Sequence, residues 1–289
     1  MRVLVVGATG KFAGYVLPAL LSRGVKVRAL VRNKQSEQIA RERGADETAI
    51  ADLEDARGVI SAAVGADGVF HIGPAFAPRE AEMGKIMVEA ARAAGVRKFV
   101  YSSVIHPSLV TLPNHAAKLP VEEALYQSGM TFTVLQPAMF MQTMEAAWSE
   151  VVRRGRFALP YSRRVKACYV DYRDVAEAAA MALTGDTLDF ATFELCAPGM
   201  LNRVEVAALM SEAAGRTIEA GEVSFDEWAD AAKIAPGPVR TGLKRMYSDY
   251  DQCGFPGGNA LVLRKVLGRE PRSLRQFFEE LARREQKAA

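Results

Sequence analysis

The chain has 289 residues, of which 49% are hydrophobic and 25% are charged, so it can bury a large apolar core. Its 37 basic and 34 acidic residues give a net charge of +3 and form no basic block, which argues against a nucleic-acid partner. No early apolar run is long enough for a signal peptide or a membrane span, and the three cysteines lack metal-site spacing. These features predict a cytoplasmic protein that acts on a small molecule, with no nucleic acid, membrane or metal partner.

The chain opens on a strand that leads into a glycine-rich turn. The run 3–6 is typical of a buried parallel strand, and a helical pattern covers 15–21. Such a turn lets backbone N–H groups approach a diphosphate. The third fingerprint position holds Ala13, and Gly14 follows it directly. An ordinary βα turn is the alternative. The residues predicted to line the diphosphate are Gly7, Ala8, Thr9, Gly10, Lys11 and Phe12.

The second strand, 26–31, ends at a pair of cations where a carboxylate would mark an NAD site. Arg32 can grip a ribose 2′-phosphate bidentately, and Lys34 can add a looser point charge. This pattern predicts that NADP(H) is the preferred cofactor and that NAD(H) is possible. Two solvated loop charges are the alternative interpretation.

Strand and helix patterns alternate through the first half of the chain. They predict an α/β fold, a Rossmann-type doubly wound parallel sheet with its ligand at the C-terminal ends of the strands. After residue 137 the alternation of strand and helix patterns weakens. The sequence predicts one helix at 139–154, a second helix with Asp174 as its N-cap, and a loop at 246–259. We predict a dinucleotide-binding domain at 1–150, with 165–185 packing back on it, and a smaller, mainly helical substrate-binding lobe at 186–289.

A family resemblance rests on stretches that match in order and spacing to about residue 185. They are GATGKFAG, LVRN, ADL, GVFHIGP, AARAAGVRKFVYSSV, NHAAKLPVEEALYQSGMTFTVLQPAMFMQT and YVDYRDVAEAA. The chain resembles an NmrA-like member of the atypical short-chain dehydrogenases and reductases. That family includes quinone, azo-dye and triphenylmethane reductases, and also regulators that bind dinucleotide without turnover. The resemblance therefore implies the fold and the cofactor.

Lys118 matches the family lysine, so the resemblance implies that it binds the nicotinamide ribose and assists proton transfer. Ordinary short-chain dehydrogenases place a tyrosine four residues earlier, where this chain has Asn114. On chemistry alone Lys118 would read as a surface lysine. His106 and His115 are alternative proton donors, because histidine titrates near neutral pH. His71, inside a strand pattern, is predicted to be a core residue.

Further cofactor contacts are predicted where the remaining strands end. Each of these positions follows a strand of the predicted sheet, beside the adenine, the ribose or the nicotinamide. They are Asp52, Leu53, Gly73, Pro74, Ser102, Ser103, Pro137 and Phe140.

These features together predict an NAD(P)H-dependent reductase that passes a hydride to a small conjugated acceptor, such as a quinone or an azo compound. Such acceptors need orientation and a dry pocket more than a strong acid. The alternative is an NADP(H)-sensing regulatory protein without turnover. An epimerase or dehydratase would keep the tyrosine, so Asn114 argues against one. We expect a monomer or a homodimer.

Overall fold

The computed structural model describes residues 1–288, which form two compact units. The first unit comprises Met1–Pro137 and Val175–Glu194. The second comprises Ala138–Asp174 and the chain from Leu195 onward.

The strands and helices follow each other in the order that the sequence pattern predicts for the first half. The strands are β1 (Arg2–Val6), β2 (Lys26–Val31), β3 (Glu47–Ile50), β4 (Gly68–His71), β5 (Lys98–Ser102), β6 (Thr131–Pro137), β7 (Met139–Phe140), β8 (Arg156–Leu159), β9 (Lys166–Ala167), β10 (Tyr169–Val170), β11 (Ala191–Leu195), β12 (Leu201–Asn202) and β13 (Glu219–Glu222). The helices are α1 (Val16–Leu21), α2 (Lys34–Glu42), α3 (Ala56–Ala63), α4 (Glu80–Ala93), α5 (Pro113–Ala116), α6 (Leu119–Gln127), α7 (Trp148–Arg154), α8 (Tyr172–Thr184), α9 (Arg203–Ala214), α10 (Phe225–Ala231), α11 (Pro238–Cys253), α12 (Leu261–Leu267) and α13 (Leu274–Ala288). Short 3-10 helices cover Ala13–Tyr15 and Met141–Ala147.

A seven-stranded sheet organises the first unit, in the order β11-β6-β5-β4-β1-β2-β3. The strands from β1 to β6 pair in parallel. The chain runs outward from β1 to β3 and then returns to place β4 on the other side of β1. The predicted Rossmann-type doubly wound sheet is therefore confirmed. The crevice between the ends of β1 and β4 is the switch point, where such folds bind ligands.

The sheet is buried on its inner strands because those strands are almost wholly apolar. Val3, Leu4 and Val5 are fully inaccessible to solvent, and Phe99 is as well. Residues from α3, α4 and α6 pack against β1, β4 and β5 to complete one hydrophobic cluster. This burial supplies the main stabilising term of the first unit and leaves the carboxyl ends of the strands to form a rigid edge.

The second unit begins earlier than the predicted boundary at 150. After β6 the chain leaves the sheet, and Met139–Phe140 pairs in parallel with Tyr169–Val170. The predicted helix at 139–154 therefore begins only at Met141, as a 3-10 helix that leads into α7. Of the predicted 165–185 segment, only the part from Val175 onward belongs to the first unit, and it continues to Glu194.

Two further local predictions in the second unit are wrong. Helix α11 continues to Cys253, where the pattern indicated a loop at 246–259. Helix α8 begins at Tyr172, so Asp174 is not its N-cap. The side chain of Asp171 accepts the backbone N–H of Arg173 at 2.8 Å instead, as N-cap residues do. Along residues 1–288, no helix is both long and apolar enough to cross a membrane.

Candidate functional site

The residues 7–12, which we call the glycine turn, leave β1 at the switch point. Gly7 has a φ of 79°, a backbone conformation that residues other than glycine rarely adopt. The backbone N–H of Gly10 donates to the carbonyl oxygen of Gly7 at 2.7 Å. A Cβ atom at Gly10 would lie only 3.0 Å from that oxygen. The turn is therefore a narrow backbone cradle that a side chain would fill, which suits the close approach of a diphosphate.

Two cations stand at the end of the neighbouring strand. Arg32 directly follows β2 and Lys34 begins α2, and both are exposed. Neither side chain forms an ion pair with any residue in the range 1–288 that the structure describes. Asn33 between them caps α2 by accepting the backbone N–H of Ser36 at 2.9 Å. The positive charge at this strand end is thus available to an anion.

Glu37, one of the two acidic residues of α2, is hydrogen-bonded to other partners. Glu37 accepts hydrogen bonds from the Thr48 hydroxyl at 2.5 Å and from Arg41 at 3.1 Å. These two hydrogen bonds, that of Thr48 foremost, lower the pKa of the Glu37 carboxyl. Glu37 is therefore engaged with Thr48 and Arg41, and no carboxylate directly follows β2, where an NAD site has one.

The parallel strands bring most of the other predicted contact residues to the same edge of the sheet. They lie after β3 (Asp52, Leu53), after β4 (Gly73, Pro74), at or after the last residue of β5 (Ser102, Ser103) and at the last residue of β6 (Pro137). Asp52 is not free, because its carboxylate accepts the backbone N–H of Glu54 at 2.9 Å. Phe140 belongs to the second unit, where its ring meets that of Tyr172 edge-on at 4.7 Å.

Lys118 lies directly before α6 and forms a buried ion pair. Its ammonium donates to the carboxylate of Glu80, and the two side chains are only 6% and 2% exposed. The second carboxylate oxygen of Glu80 accepts the backbone N–H of Phe76 at 3.0 Å. Glu80 thus connects Lys118 to the loop that follows β4. The interpretation of Lys118 as a surface lysine is wrong.

Two aromatic side chains pack beside this ion pair. The rings of His71 and Tyr101 stack with their centroids 5.6 Å apart, and the Lys118 ammonium lies 5.9 Å from the Tyr101 centroid. Burial and, secondarily, the Lys118 charge lower the pKa of His71 to about 3. Burial also raises the pKa of Tyr101 well above 10. Both shifts favour the neutral form of the ring, and His71 is the core residue that the sequence predicts.

The other two histidines lie close to each other in the segment between β5 and α6. His115 is fully buried, and its Nδ1 lies 3.0 Å from the carbonyl oxygen of His106. His106 has a φ of 54°, and its own Nδ1 lies 3.4 Å from a carboxylate oxygen of Glu194. Their role as proton donors stays a prediction.

Ser103 is part of a polar cluster beneath this segment. Its hydroxyl donates to Glu122 at 2.5 Å, and the amide of Gln136 donates to both oxygens of the same carboxylate at 3.0 and 3.1 Å. Ser103 is therefore engaged with Glu122 in this conformation.

Sequence reasoning missed two residues, Glu80 and Arg43, that hold parts of this edge in place. The guanidinium of Arg43 reaches two carbonyl groups of the glycine turn. Glu80 opens α4, and an acid in the first turn of a helix is ordinarily explained by the helix dipole. Both contacts join residues more than 30 positions apart, so no local pattern in the sequence marks them.

The comparisons with known proteins agree with this geometry. A model described as "NmrA-like family" matches residues 1–281. The chain is 28% identical to an NAD(P)H azoreductase of Xenophilus azovorans over 282 residues, which cover 95% of this chain and 96% of that protein. The triphenylmethane reductase of Citrobacter sp. has a TM-score of 0.85 at 22% identity, covering 98% of this chain and 100% of that one. An Escherichia coli NADPH-dependent quinone oxidoreductase complexed with NADPH has a TM-score of 0.82 at 22% identity, covering 96% and 99%. The chain belongs to the NmrA-like family.

Proposed function

We propose that the protein is an NAD(P)H-dependent reductase that transfers a hydride to a small conjugated acceptor, such as a quinone or an azo compound. The observation that carries the proposal is the narrow glycine turn at the switch point, with unpaired Arg32 and Lys34 at the next strand end. The names of an azoreductase and a quinone oxidoreductase among the relatives support it.

In this proposal the cofactor is held by the chain's own backbone and cations. The glycine turn takes the diphosphate, Arg32 and Lys34 take the 2′-phosphate, and Gly73 and Ser102 line the strand ends beside it. The nicotinamide supplies the hydride when it is bound. What the protein contributes is orientation, burial and a fixed ion pair at Lys118 and Glu80.

The kind of acceptor follows from the acids that this site lacks. Asn114 cannot donate a proton as a tyrosine would, and Tyr101 is fully buried with a raised pKa. A substrate whose reduction depends on a strong protein acid is therefore disfavoured. Quinones and azo compounds accept a hydride into low-lying vacant orbitals and can take their proton later, so they suit this site.

Steady-state oxidation of NADPH with a panel of quinones, azo dyes and enones tests the proposal. We expect turnover with at least one quinone or azo compound, and none in the Gly10→Val variant. Tight binding of NADP⁺ without turnover across the panel would contradict the reductase and favour the NADP(H)-sensing regulator. The buried pairing of Lys118 is the feature that agrees with that second function.

The preference for NADPH over NADH rests on Arg32. A bidentate, charge-assisted contact with the 2′-phosphate should make NADPH binding roughly tenfold to a hundredfold tighter. The Arg32→Ala variant should lose NADPH affinity and leave NADH affinity unchanged, measured by titration calorimetry. Equal dissociation constants for the two cofactors in the unaltered protein would contradict this assignment.

We further propose a cytoplasmic protein that works as a monomer or a homodimer without nucleic acid. Analytical ultracentrifugation tests the assembly state, and a higher oligomer would contradict it. Fractionation of expressing cells tests the location.

A further inference from the structure

One guanidinium holds two carbonyl groups of the glycine turn. Arg43 follows the last residue of α2, and its Nη1 donates to the carbonyl oxygens of Ala8 at 3.1 Å and Gly10 at 2.8 Å. A single Nη1 carries two hydrogens, so it can satisfy both acceptors at once. The carbonyl oxygen of Gly7 is occupied by the N–H of Gly10. Three carbonyl groups of the turn are thus fixed by donors from the protein.

Gly14 makes room for this guanidinium. A Cβ atom at Gly14 would lie 2.8 Å from Nη1 of Arg43, closer than such atoms approach in proteins. The same Cβ would lie no closer than 3.8 Å to the backbone of the turn, at the carbonyl oxygen of Ala8. The constraint at Gly14 therefore comes from the arginine. A side chain at position 14 would therefore displace the guanidinium from its present position.

The contact between Arg43 and the glycine turn affects how well the turn can bind an anion. Carbonyl oxygens carry partial negative charge and repel a diphosphate that approaches the backbone. A guanidinium bound to two of them offsets that repulsion and also fixes the turn before the ligand arrives. Arg43 forms no ion pair with a carboxylate in the described range 1–288, so its charge is not cancelled within the chain. A pre-ordered turn binds its ligand more tightly because less conformational freedom is lost on binding.

We propose that Arg43 is a positioning residue that holds the glycine turn in its diphosphate-binding form, and that Gly14 is small to admit it. This inference rests on the proposed function, since it assumes that a dinucleotide binds in the turn. It assigns Arg43 a task different from that of Arg32. Arg43 acts on the part that NADPH and NADH share, whereas Arg32 acts on the 2′-phosphate that only NADPH has.

The two tasks predict different binding patterns. The Arg43→Met variant should lose affinity for NADPH and NADH by the same factor, about tenfold for two charge-assisted hydrogen bonds that shape the turn. The ratio of the two dissociation constants should stay as in the unaltered protein. Arg43→Lys should recover part of the loss, because an ammonium reaches the carbonyl groups with less favourable geometry. Gly14→Ala should give a smaller loss, again equal for the two cofactors, by displacing the guanidinium, although Arg43 itself is unchanged.

Arg41→Met is the matched control. Arg41 lies on the same helix and carries the same charge, but its guanidinium contacts Glu37 and Thr48 instead of the turn. The experiment measures both dissociation constants by calorimetry for the four variants, together with thermal melts. A purely structural role for Arg43 would lower the melting temperature and leave the dissociation constants of the folded protein unchanged.

The measured dissociation constants distinguish a failure of the positioning role of Arg43 from a failure of dinucleotide binding itself. Equal losses for both cofactors in Arg43→Met and Gly14→Ala, with normal binding in Arg41→Met, would support the positioning role. Unchanged dissociation constants in both variants, or a loss confined to NADPH, would overturn it while the dinucleotide site stands. An unaltered protein that binds neither cofactor would overturn the proposed function and the inference with it.

Discussion

Two arginines around the glycine turn and two arginines of the second unit are used in opposite ways. In the first unit, Arg32 and Arg43 form no ion pair within residues 1–288, and both stand at strand or helix ends around the glycine turn. In the second unit, arginines converge on buried carboxylates. Arg173 binds Asp171 at 2.6 Å, and Arg269 binds Asp174 at 2.8 Å.

This difference distinguishes arginines that can bind a ligand from arginines that stabilise the fold. A cation whose charge is already cancelled by a buried carboxylate has little left for a ligand. Both Asp171 and Asp174 are fully buried, so the cations around them stabilise the second unit itself. The uncancelled cations of the first unit are the ones that can recognise phosphate. Lys118 differs from Arg32 and Arg43, because it is held by Glu80 in a buried ion pair inside the candidate site.

The contrast between the binding cations and the structural cations depends on cofactor binding in the glycine turn. Gly10→Val places a branched side chain where even a Cβ would lie 3.0 Å from the Gly7 carbonyl oxygen. We expect cofactor affinity to fall by more than about a hundredfold, because the side chain occupies the place of the diphosphate. Calorimetry gives the affinity, and circular dichroism checks that the variant is folded. Retained binding by the folded variant would show that the cofactor lies elsewhere.

Lys118→Met tests whether the buried ion pair of the first unit serves turnover or stability. Removal of the cation leaves the Glu80 carboxylate buried without its counter-charge, so stability should fall by about 3–5 kcal/mol. If Lys118 also orients the hydride donor, kcat should fall by about 10²-fold. The double variant Glu80→Gln, Lys118→Met removes both charges and separates the two effects. Urea unfolding should recover in the double variant while kcat stays low, and recovery of kcat would limit Lys118 to a structural role.

Asp171→Asn makes the corresponding change in the second unit. Burial alone would raise the pKa of Asp171, but hydrogen bonds from Arg173 and Gln142 outweigh it and lower the pKa. Loss of this charge should cost about 3 kcal/mol of unfolding free energy and leave cofactor affinity unchanged. Asp230→Asn is the control, since Asp230 pairs with Arg240 while 70% exposed and should cost less than about 1 kcal/mol. An altered cofactor affinity in Asp171→Asn would contradict the division between the units.

Sequence reasoning predicted the first unit better than the second, because the signals of the first unit are local. The glycine turn and the cations after β2 each lie within a few residues of a strand that the apolar pattern identifies. Parallel pairing then brings these strand ends to one edge without further information. The family resemblance added Lys118, which the chemistry of a lone lysine could not have selected.

The missed features depend on contacts between distant residues. Asp174 was predicted as an N-cap from its place before an alanine-rich run, but its carboxylate accepts the backbone N–H of Arg272 at 2.7 Å, 98 positions away. Lys118 and Glu80 are 38 positions apart, and Arg43 and Gly10 are 33 apart. The first two residues of the helix predicted at 139–154 pair as a strand with Tyr169–Val170. In each case tertiary contacts override the local pattern, and a single sequence carries no signal for them.

The acid sensitivity of the first unit is expected to depend on His71. His71 has a folded pKa of about 3, below its unfolded value of about 6.5, so the unfolded chain takes up a proton that the folded unit refuses. Stability should therefore fall by about 1.4 kcal/mol for each pH unit below 6.5, until the pH reaches the folded pKa. His71→Phe keeps the stacking on Tyr101 and removes the titrating group, so its unfolding free energy should fall less steeply between pH 6.5 and 4.5. The lowered pKa of Asp171 acts only in a more acidic range, because its stabilisation is complete above an unfolded pKa of about 4 and is lost as the pH falls through the folded value. Urea unfolding across this range should thus separate the two residues, and identical slopes for His71→Phe and the unaltered protein would show that His71 is protonated in the folded state.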